Sequence, residues 1–258
     1  MLRPRIIPCL LVTQQGLVKT VRFAQPKYVG DPINAVKIFN EKEVDELAVF
    51  DIEASSHERE PNYELIRKLA VECRMPLCYG GGIKTVDQVV RTIKLGVEKV
   101  AVSSAAIANP ELVTAAATHV GSQSVVVVLD IRRNGDGRWE TWIENGRKNT
   151  GLDPIALARK LSRRGAGEIT LNSIDRDGTM DGYDLELARK VREAVDVPIT
   201  VLGGAGSLEH IGALFDALGV VGAAAGSLFV FKGSLRAVLI NYPARAKKLE
   251  LSARAQHS

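Results

Sequence analysis

Residues 46–55 read ELAVFDIEAS, and residues 168–177 read EITLNSIDRD. Both stretches begin with glutamate, continue as an apolar run and end among acidic residues. A second matched pair follows them along the chain, GGGIKTVDQV from Gly80 and GGAGSLEHI from Gly203. Two pairs of similar segments in the same order indicate two halves of similar structure that arose by duplication.

Eight short aliphatic runs alternate with longer segments in which apolar residues recur every three or four positions. This alternation predicts parallel strands connected by helices, and eight strands are the number that closes a (β/α)8, or TIM, barrel. The predicted strands are RIIPCLLV, ELAVFDI, PLCYGGG, KVAVSS, SVVVVLDI, EITLNSI, PITVLGG and VVGAAAG. An open, doubly wound sheet is the alternative, and the repeat favours the barrel.

The 258 residues are therefore interpreted as one α/β domain, since single barrels commonly reach this length. The half-barrels would span about residues 1–122 and 123–250, with a flexible tail at 251–258. The segment RRNGDGRWETW carries an Asp136-Gly137 turn between strand-like arms, which predicts a small β-hairpin after strand five.

Composition excludes several classes of function. The formal charge is +4, mean hydropathy is +0.03 and the basic residues are scattered among acidic ones, so neither a nucleic-acid partner nor a membrane partner is expected. The three cysteines form no CxxC motif, which favours a reducing cytoplasm. No metal and no cofactor is predicted, because no metal-ligand spacing occurs among His57, His119, His210 and His257.

Glycine-rich or small-residue turns end four predicted strands: GGGI at 80–83, SSAA at 103–106, GGAG at 203–206 and AAGS at 224–227. Active sites of these barrels lie at the carboxyl ends of the strands, where such turns leave N–H groups free to bind phosphate. The four turns form one pair in each half, which suits a ligand with two phosphates. Glycines that merely permit tight turns are the alternative. The predicted phosphate- or substrate-binding residues of these ends are Gly82, Ser103, Ser104, Gly178, Gly204, Ala225 and Ser227.

Three carboxylates share the same ends of the strands. Asp51 ends strand two, Asp130 ends strand five, and Asp177 follows strand six. Each is a candidate acid, base or substrate ligand, although Asp51 and Asp177 are equally suited to capping a loop. Lys19 is placed on a long loop after strand one, where it could close over an anionic ligand. Within the repeat, Leu11 occupies the place in the first half that Asp130 takes in the second.

Motifs along nearly the whole chain resemble the cyclase subunit of imidazole glycerol phosphate synthase. They are RIIPCL, VKT, GDP, DELAVFDIEAS, GGGIKT, EKVAVSSAA, GSQSVVVVLD, KNTG, GAGEITLNSIDRDGTMDGYD and GGAGSLEH. The resemblance implies a partner glutaminase whose ammonia passes up the barrel and reacts with a bis-phosphorylated nucleotide. It also implies two catalytic aspartates, at the ends of strands one and five. Asp130 matches the second, but Leu11 stands at the first, and leucine cannot transfer a proton.

The resemblance further implies a salt-bridged ammonia gate at the opposite, N-terminal end of the barrel. Its residues would be Arg5, Glu46, Lys99 and Glu168, which begin strands one, two, four and six. Without the resemblance, charges at that end would be interpreted as stabilising. A glutaminase would dock over the gate.

A second resemblance is narrower. The stretches IIPCLL, GLVKTVRFAQPKYVGDPINAVKIFNEKEVDEL, MPLCYGGGIKT and GSLFVFKGSLRAVLINYP are similar to a cyclase paralogue that accompanies bacterial surface-polysaccharide enzymes. That resemblance implies a barrel that conducts ammonia from a glutaminase to a separate N-acetyl sugar amidotransferase, which forms an acetamidino group. Two alternatives stay open: an active cyclase of histidine biosynthesis, and a module that binds a phosphorylated small molecule without ammonia transfer.

Overall fold

The computed structural model describes residues 3–233 and 235–256. Eight parallel strands close into a barrel, since the first strand pairs with both the second and the eighth. The barrel strands are β1 Arg5–Thr13, β2 Leu47–Asp51, β3 Leu77–Gly80, β4 Lys99–Val102, β5 Val125–Arg133, β6 Glu168–Ser173, β7 Ile199–Leu202 and β8 Gly222–Ala225. The predicted (β/α)8 barrel is confirmed.

Helices connect the strands around the outside of the barrel. The longer ones are Pro32–Glu41, Tyr63–Glu72, Val86–Lys94, Glu111–Val120, Pro154–Arg163, Leu185–Ala194, Leu208–Leu218 and Arg245–Arg254. One-turn pieces lie at Ser104–Ala108, Ser122–Ser124 and Ser227–Val230.

The helix N-caps repeat the duplication that the sequence predicts. Asp31 Oδ1 accepts a hydrogen bond from the Asn34 amide at 2.8 Å, and Asp153 Oδ1 accepts one from the Ala156 amide at 2.7 Å. Each of these caps precedes a proline at the first helical position, which is favourable there because its missing N–H needs no partner. Further caps recur in pairs at Asn62 and Asp184 and at Thr85 and Ser207.

Two layers of apolar side chains stabilise the barrel. The larger layer, between strands and helices, includes Val36, Phe39, Leu69 and Leu129. The smaller one fills the interior with short side chains such as Ala48, Cys78, Ala101 and Ala224. Small residues leave narrow space along the barrel axis, whereas the outer layer is closely filled.

β-Hairpins follow strands β1 and β5. The second, Trp139–Ile143 paired with β5 and with Lys148–Asn149, confirms the predicted hairpin. The first consists of Gly16–Val21 and Ala24–Gly30 and replaces the long loop expected after strand one. Lys19 therefore lies in a strand and not in a loop, because Gly16–Val21 continues antiparallel to β1.

Residues 251–254 of the predicted tail are helical, and the flexibility of the tail stays a prediction. Helix Arg245–Arg254 continues through them, because Leu251 is buried in the outer core and Arg254 pairs with Asp216. The last two residues of the predicted tail, 257 and 258, lie outside the described part of the chain. No helix within residues 3–233 and 235–256 is long and apolar enough to cross a membrane.

Candidate functional site at the carboxyl ends of the strands

The carboxyl ends of the strands surround a cavity of about 610 Å³, which we call the mouth. Every residue that the sequence predicts for this end lines it. These residues are Leu11, Lys19, Asp51, Gly82, Ser103, Ser104, Asp130, Asp177, Gly178, Gly204, Ala225 and Ser227. The structure thus brings them together, while their individual roles in binding or catalysis stay predictions.

Asp130 is a buried carboxyl group in the mouth. It lies opposite Asn172 in the β5–β6 register, and the Asn172 amide donates to its Oδ1 at 2.8 Å. Burial raises the pKa of Asp130 to about 7, although the hydrogen bond from Asn172 acts in the opposite direction. A carboxyl group that titrates near neutrality suits general acid–base chemistry.

Leu11 lines the same cavity from β1, four strands away from Asp130 around the barrel. Its neighbours in the strand register are Val18 and Phe50, and it is 9% exposed. This part of the mouth is therefore apolar. Leucine cannot give or take a proton, so any proton transfer in this part of the mouth would need a donor or acceptor from another residue.

Asp51 and Asp177 each hold a loop in place. Asp51 Oδ1 accepts the amide hydrogens of Glu53 at 3.0 Å and Ala54 at 2.9 Å. Asp177 Oδ2 accepts from the Thr20 hydroxyl at 2.6 Å and from the Phe23 amide at 3.2 Å. Asp177 thereby fixes the first hairpin over the mouth.

Lys19 is carried into the mouth by that hairpin and is only 6% exposed. A Cβ added at Gly226 would lie 2.4 Å from Lys19 Nζ, so the ammonium group lies directly against the Gly226 backbone, beside Ser227. Within the described residues Lys19 forms no ion pair. A buried cation without a protein counter-ion is suited to bind an anion.

Gly82 and Gly204 occupy matching turns in the two halves. Both have positive φ, +74° and +105°. A Cβ would lie 2.7 Å from Arg59 O at Gly82 and 2.0 Å from Gly182 O at Gly204. Any side chain would collide with backbone, so the turns need glycine whether or not they bind phosphate.

The tips of the two hairpins meet above the mouth. Ser104 Oγ accepts the Glu144 amide at 3.0 Å, which ties the second hairpin to a predicted phosphate turn. A Cβ at Gly146 would lie 3.0 Å from Cδ2 of Phe23, so the first tip touches the second. Ser103 Oγ is buried near Asp130, whose pKa it acts to lower, but it has no well-formed hydrogen bond in residues 3–233 and 235–256.

The predicted gate residues form a closed ring of ion pairs at the N-terminal end. Arg5 pairs with Glu46 and, at 2.9 Å, with Glu168, while Lys99 Nζ reaches Glu46 at 2.8 Å and Glu168 at 2.9 Å. Burial alone would raise the pKa of Glu168, but Arg5 and Lys99 together hold it below its ordinary value. Glu168 is therefore held in its ionised form, and the four side chains close the ring.

A smaller cavity of about 20 Å³ lies between the ring and the mouth. That volume holds about one water-sized molecule. Glu46 and Glu168 line its lower end, and Cys9, Phe50 and Leu202 line both this cavity and the mouth. The barrel axis thus links the two ends through small, mostly apolar side chains.

No cluster of three or more His, Cys, Asp or Glu residues suited to a metal ion occurs in the described ranges. His57, His119 and His210 are each separate, and His257 lies outside those ranges. Cys9, Cys73 and Cys78 are free thiols. Burial raises the pKa of Cys9 to about 12, so this thiol is not a nucleophile at neutral pH.

Sequence comparison identifies the family to which this barrel belongs. Residues 5–236 match the sequence model described as "Histidine biosynthesis protein". The chain is a member of this family. It is 59% identical over 244 residues to "Putative imidazole glycerol phosphate synthase subunit HisF" of Leptospira borgpetersenii, which is 94% of this chain and 96% of the relative.

Other members of the histidine biosynthesis protein family are nearly as similar. "Putative imidazole glycerol phosphate synthase subunit hisF2" of Pseudomonas aeruginosa is 52% identical over 243 residues, 94% of this chain and 97% of the relative. "Imidazole glycerol phosphate synthase subunit HisF" of Myxococcus xanthus is 47% identical over 216 residues, 84% and 85% of the two chains. The resemblance to the HisF-type cyclase family is thus confirmed.

The sequence did not reveal three residues, namely Asn172 and Phe23, which line the mouth, and Arg59, which contacts the mouth residue Asp51 without lining the cavity itself. Asn172 was missed because its partner Asp130 lies on another strand, so that only the β5–β6 register brings the two together. Phe23 was missed because the hairpin that carries it was predicted to be a loop. Arg59, which approaches Asp51 at 3.4 Å, comes from a loop with no recognisable pattern.

Proposed function

We propose that this barrel conducts ammonia from a glutaminase subunit, docked at the N-terminal end, to a separate sugar amidotransferase. That enzyme would convert an N-acetyl group into an acetamidino group during surface-polysaccharide biosynthesis. The observation that carries the proposal is Leu11, an apolar side chain in the mouth at the position where the cyclase resemblance implies a catalytic carboxylate.

The N-terminal ring and the barrel interior support the conduit. Ammonia is neutral, so it can cross the apolar space beside Cys9 and Phe50, whereas a bare ammonium ion would lose its hydration there. Arg5 and Lys99 are both held by Glu46 and Glu168. Displacement of either cation would open a path, and the closed ring would keep water out between turnovers.

The similarity to numbered relatives also supports a branch separate from the histidine pathway. Two relatives above 50% identity bear the names hisF2 and hisF3, which is consistent with copies that exist beside a first one. Three relatives named without "Putative" are 42% to 47% identical.

Cyclisation of the aminoimidazole nucleotide is the second candidate function. Asp130 favours it, because a buried carboxyl with a pKa of about 7 is suited to exchange protons with a substrate. The retained mouth, with Lys19 beside Gly226, would accommodate a phosphorylated substrate.

Reconstitution separates the two candidates. The chain is mixed with a candidate glutaminase and a candidate N-acetyl sugar amidotransferase, and the acetamidino product is measured with glutamine as the nitrogen source. The same chain and glutaminase are given the aminoimidazole nucleotide in parallel. The proposal expects barrel-dependent amidino sugar and little or no imidazole glycerol phosphate. Efficient cyclisation without amidino product would reject it.

A further inference from the structure

The two carboxylates of the N-terminal ring, Glu46 and Glu168, differ in what holds them. Arg5 pairs with both, and Lys99 Nζ lies 2.8 Å from Glu46 and 2.9 Å from Glu168. Glu168 Oε1 accepts a further hydrogen bond from the Thr200 hydroxyl. Among the described residues, the carboxylate of Glu46 accepts hydrogen bonds from the two cations alone. Only Glu168 therefore has an uncharged partner in the barrel wall.

The strand register shows that Thr200 and Cys78 occupy matching places in the two halves of the barrel. Thr200 pairs with the residue two places after Glu168, and Cys78 pairs with the residue two places after Glu46. Cys78 is a buried free thiol, and a thiol is a weak hydrogen-bond donor. No hydrogen bond joins it to Glu46 in the described part of the chain. The duplication has therefore kept a hydroxyl anchor for one carboxylate and not for the other.

Gly222 provides the space for the Thr200 hydroxyl. In the first half Lys99 pairs with Cys78, and in the second half Gly222 pairs with Thr200. A glycine thus stands where the other half has the cation of the ring. A Cβ at Gly222 would lie 2.0 Å from Thr200 Oγ1, so any side chain there would displace the hydroxyl. The branched side chain of Thr200 is only 4% exposed and has few rotamers, so this anchor is rigid.

The cations are the part of the ring that a docked protein can reach. The side chains of Arg5 and Lys99 are 25% and 18% exposed, whereas those of Glu46 and Glu168 are 6% and 7% exposed. Displacement of a cation leaves a buried carboxylate with fewer partners, which is strongly unfavourable. Glu168 would still accept the hydrogen bond from Thr200. Glu46 would have no uncharged partner to retain it.

We propose that Thr200 is a positioning residue that holds Glu168 as the fixed side of the N-terminal ring, so that the ring opens by movement of Glu46. The opening would then lie on the β2 side of the barrel, at the lower end of the small cavity that Glu46 lines. The use of this opening by ammonia rests on the proposed function. The difference between the two carboxylates does not.

Crystal structures of ring variants test which carboxylate moves. Lys99→Met removes one cation and adds no charge. We expect the Glu46 carboxylate to turn away from its place in this variant, while Glu168 keeps its hydrogen bond with Thr200. Addition of Thr200→Val, which removes only the hydroxyl, should release Glu168 as well. Movement of Glu168 in Lys99→Met alone, or two unmoved carboxylates in both variants, overturns the proposal.

Thr92→Val is the matched control for loss of a buried hydroxyl. Thr92 lies on helix Val86–Lys94 and is fully buried, and its hydroxyl has no hydrogen-bond partner within the described residues. Combined with Lys99→Met, it should leave Glu168 in place. Release of Glu168 by this control would show that general loosening of the fold, and not the Thr200 hydroxyl, decides the position of the carboxylate.

The ratio of amidino product to glutamate provides a functional readout. It is measured with a candidate glutaminase, a candidate sugar amidotransferase and glutamine. Thr200→Val should lower this ratio several-fold, because a ring without a fixed side lets ammonia escape, and Thr200→Ser should retain the original ratio. A purely structural defect would lower product and glutamate together. An unchanged ratio for Thr200→Val would therefore contradict a positioning role.

The two experiments separate failure of the proposal from failure of the proposed function. If the unaltered chain forms no amidino sugar, the proposed function fails, and the crystal structures still decide whether Thr200 fixes Glu168. If Thr200→Val does not fold, the structure of Lys99→Met alone shows which carboxylate moves and decides the question.

Discussion

The side-chain amide of Asn172 donates a hydrogen bond to Oδ1 of Asp130 across the β5–β6 register. This bond favours the ionised carboxylate, yet burial has the larger effect and raises the pKa of Asp130 to about 7. The folded protein therefore retains a proton on Asp130 over a pH range in which the unfolded chain has lost it.

Replacement of Asp130 by Asn should stabilise the protein increasingly as pH rises. Folding raises the pKa of Asp130, so the fold accommodates the neutral acid better than the carboxylate. The protein is therefore most stable, with respect to this group, below the pKa of the unfolded chain. That stability is lost as the pH rises from there to about 7. The gain in free energy of unfolding should grow from pH 5 to pH 8, to at most about 4 kcal/mol. Urea denaturation at both pH values measures it. Asp136→Asn, in an exposed turn, should change stability by less than about 0.5 kcal/mol, and a gain that is equal at both pH values would contradict the assignment.

Replacement of Leu11 by Asp should restore a carboxylate opposite Asp130 and allow some cyclisation of the aminoimidazole nucleotide. The missing acid or base would account for a rate deficit of about 10²–10⁴. Leu11 lines the mouth, so we expect the fold to survive with a loss of about 1–3 kcal/mol. Product formation with ammonium as nitrogen source is the measurement, and Leu11→Asn is the control that cannot transfer a proton. Rapid cyclisation by the unaltered protein would show that Leu11 does not disable the chemistry.

Charge reversal at Lys99 should uncouple the glutaminase from the conduit. Glu at this position would face Glu46 and Glu168 with only Arg5 to compensate, so the ring would no longer close. We expect glutamine-dependent amidino product to fall several-fold more than product formed from added ammonium. Lys99→Met distinguishes loss of the cation from repulsion, and Lys68→Glu on an outer helix should have no effect. Equal losses with both nitrogen sources would argue against a conduit.

Anions should bind in both halves of the mouth, near Gly82, Ser104, Gly178, Gly204 and Ser227. Lys19 provides the charge beside Ser227, so Lys19→Met should weaken binding of inorganic phosphate, measured by calorimetry, by about tenfold. Lys27 is opposite Lys19 in the first hairpin but exposed, and Lys27→Met should leave binding unchanged. Sulfate-grown crystals with neither half occupied would contradict this expectation.

Much of this architecture could be predicted because its signals are local. Each strand is a continuous aliphatic run, and the helix N-caps recur in the two halves. The eight strands therefore follow from the sequence, and so does the ring of charged residues at their N-terminal ends. The hairpin after β5 was visible through Asp136 and Gly137. The hairpin after β1 was not, because its turn places two ordinary residues, Arg22 and Phe23, at positive φ, where sequence rules expect glycine or asparagine.

Contacts between distant elements account for the rest. Asp51 and Asp177 hold loops by accepting hydrogen bonds, for example from the Ala54 amide and from the Thr20 hydroxyl. Only the fold brings these donors close to the two carboxylates. Helix Arg245–Arg254 runs into the predicted tail, and its Leu251 is buried in the outer core. Neither relationship leaves a periodic trace in the sequence.

The N-terminal ring also bears on how the barrel folds. Arg5 and Glu168 are separated by 163 residues, and their ion pair requires β1 and β6 to be in place at once. Contacts of such long sequence separation require large loops to close, and they form late when shorter-range structure can form first. The ring should therefore be absent from early folding intermediates and should slow unfolding more than it accelerates folding.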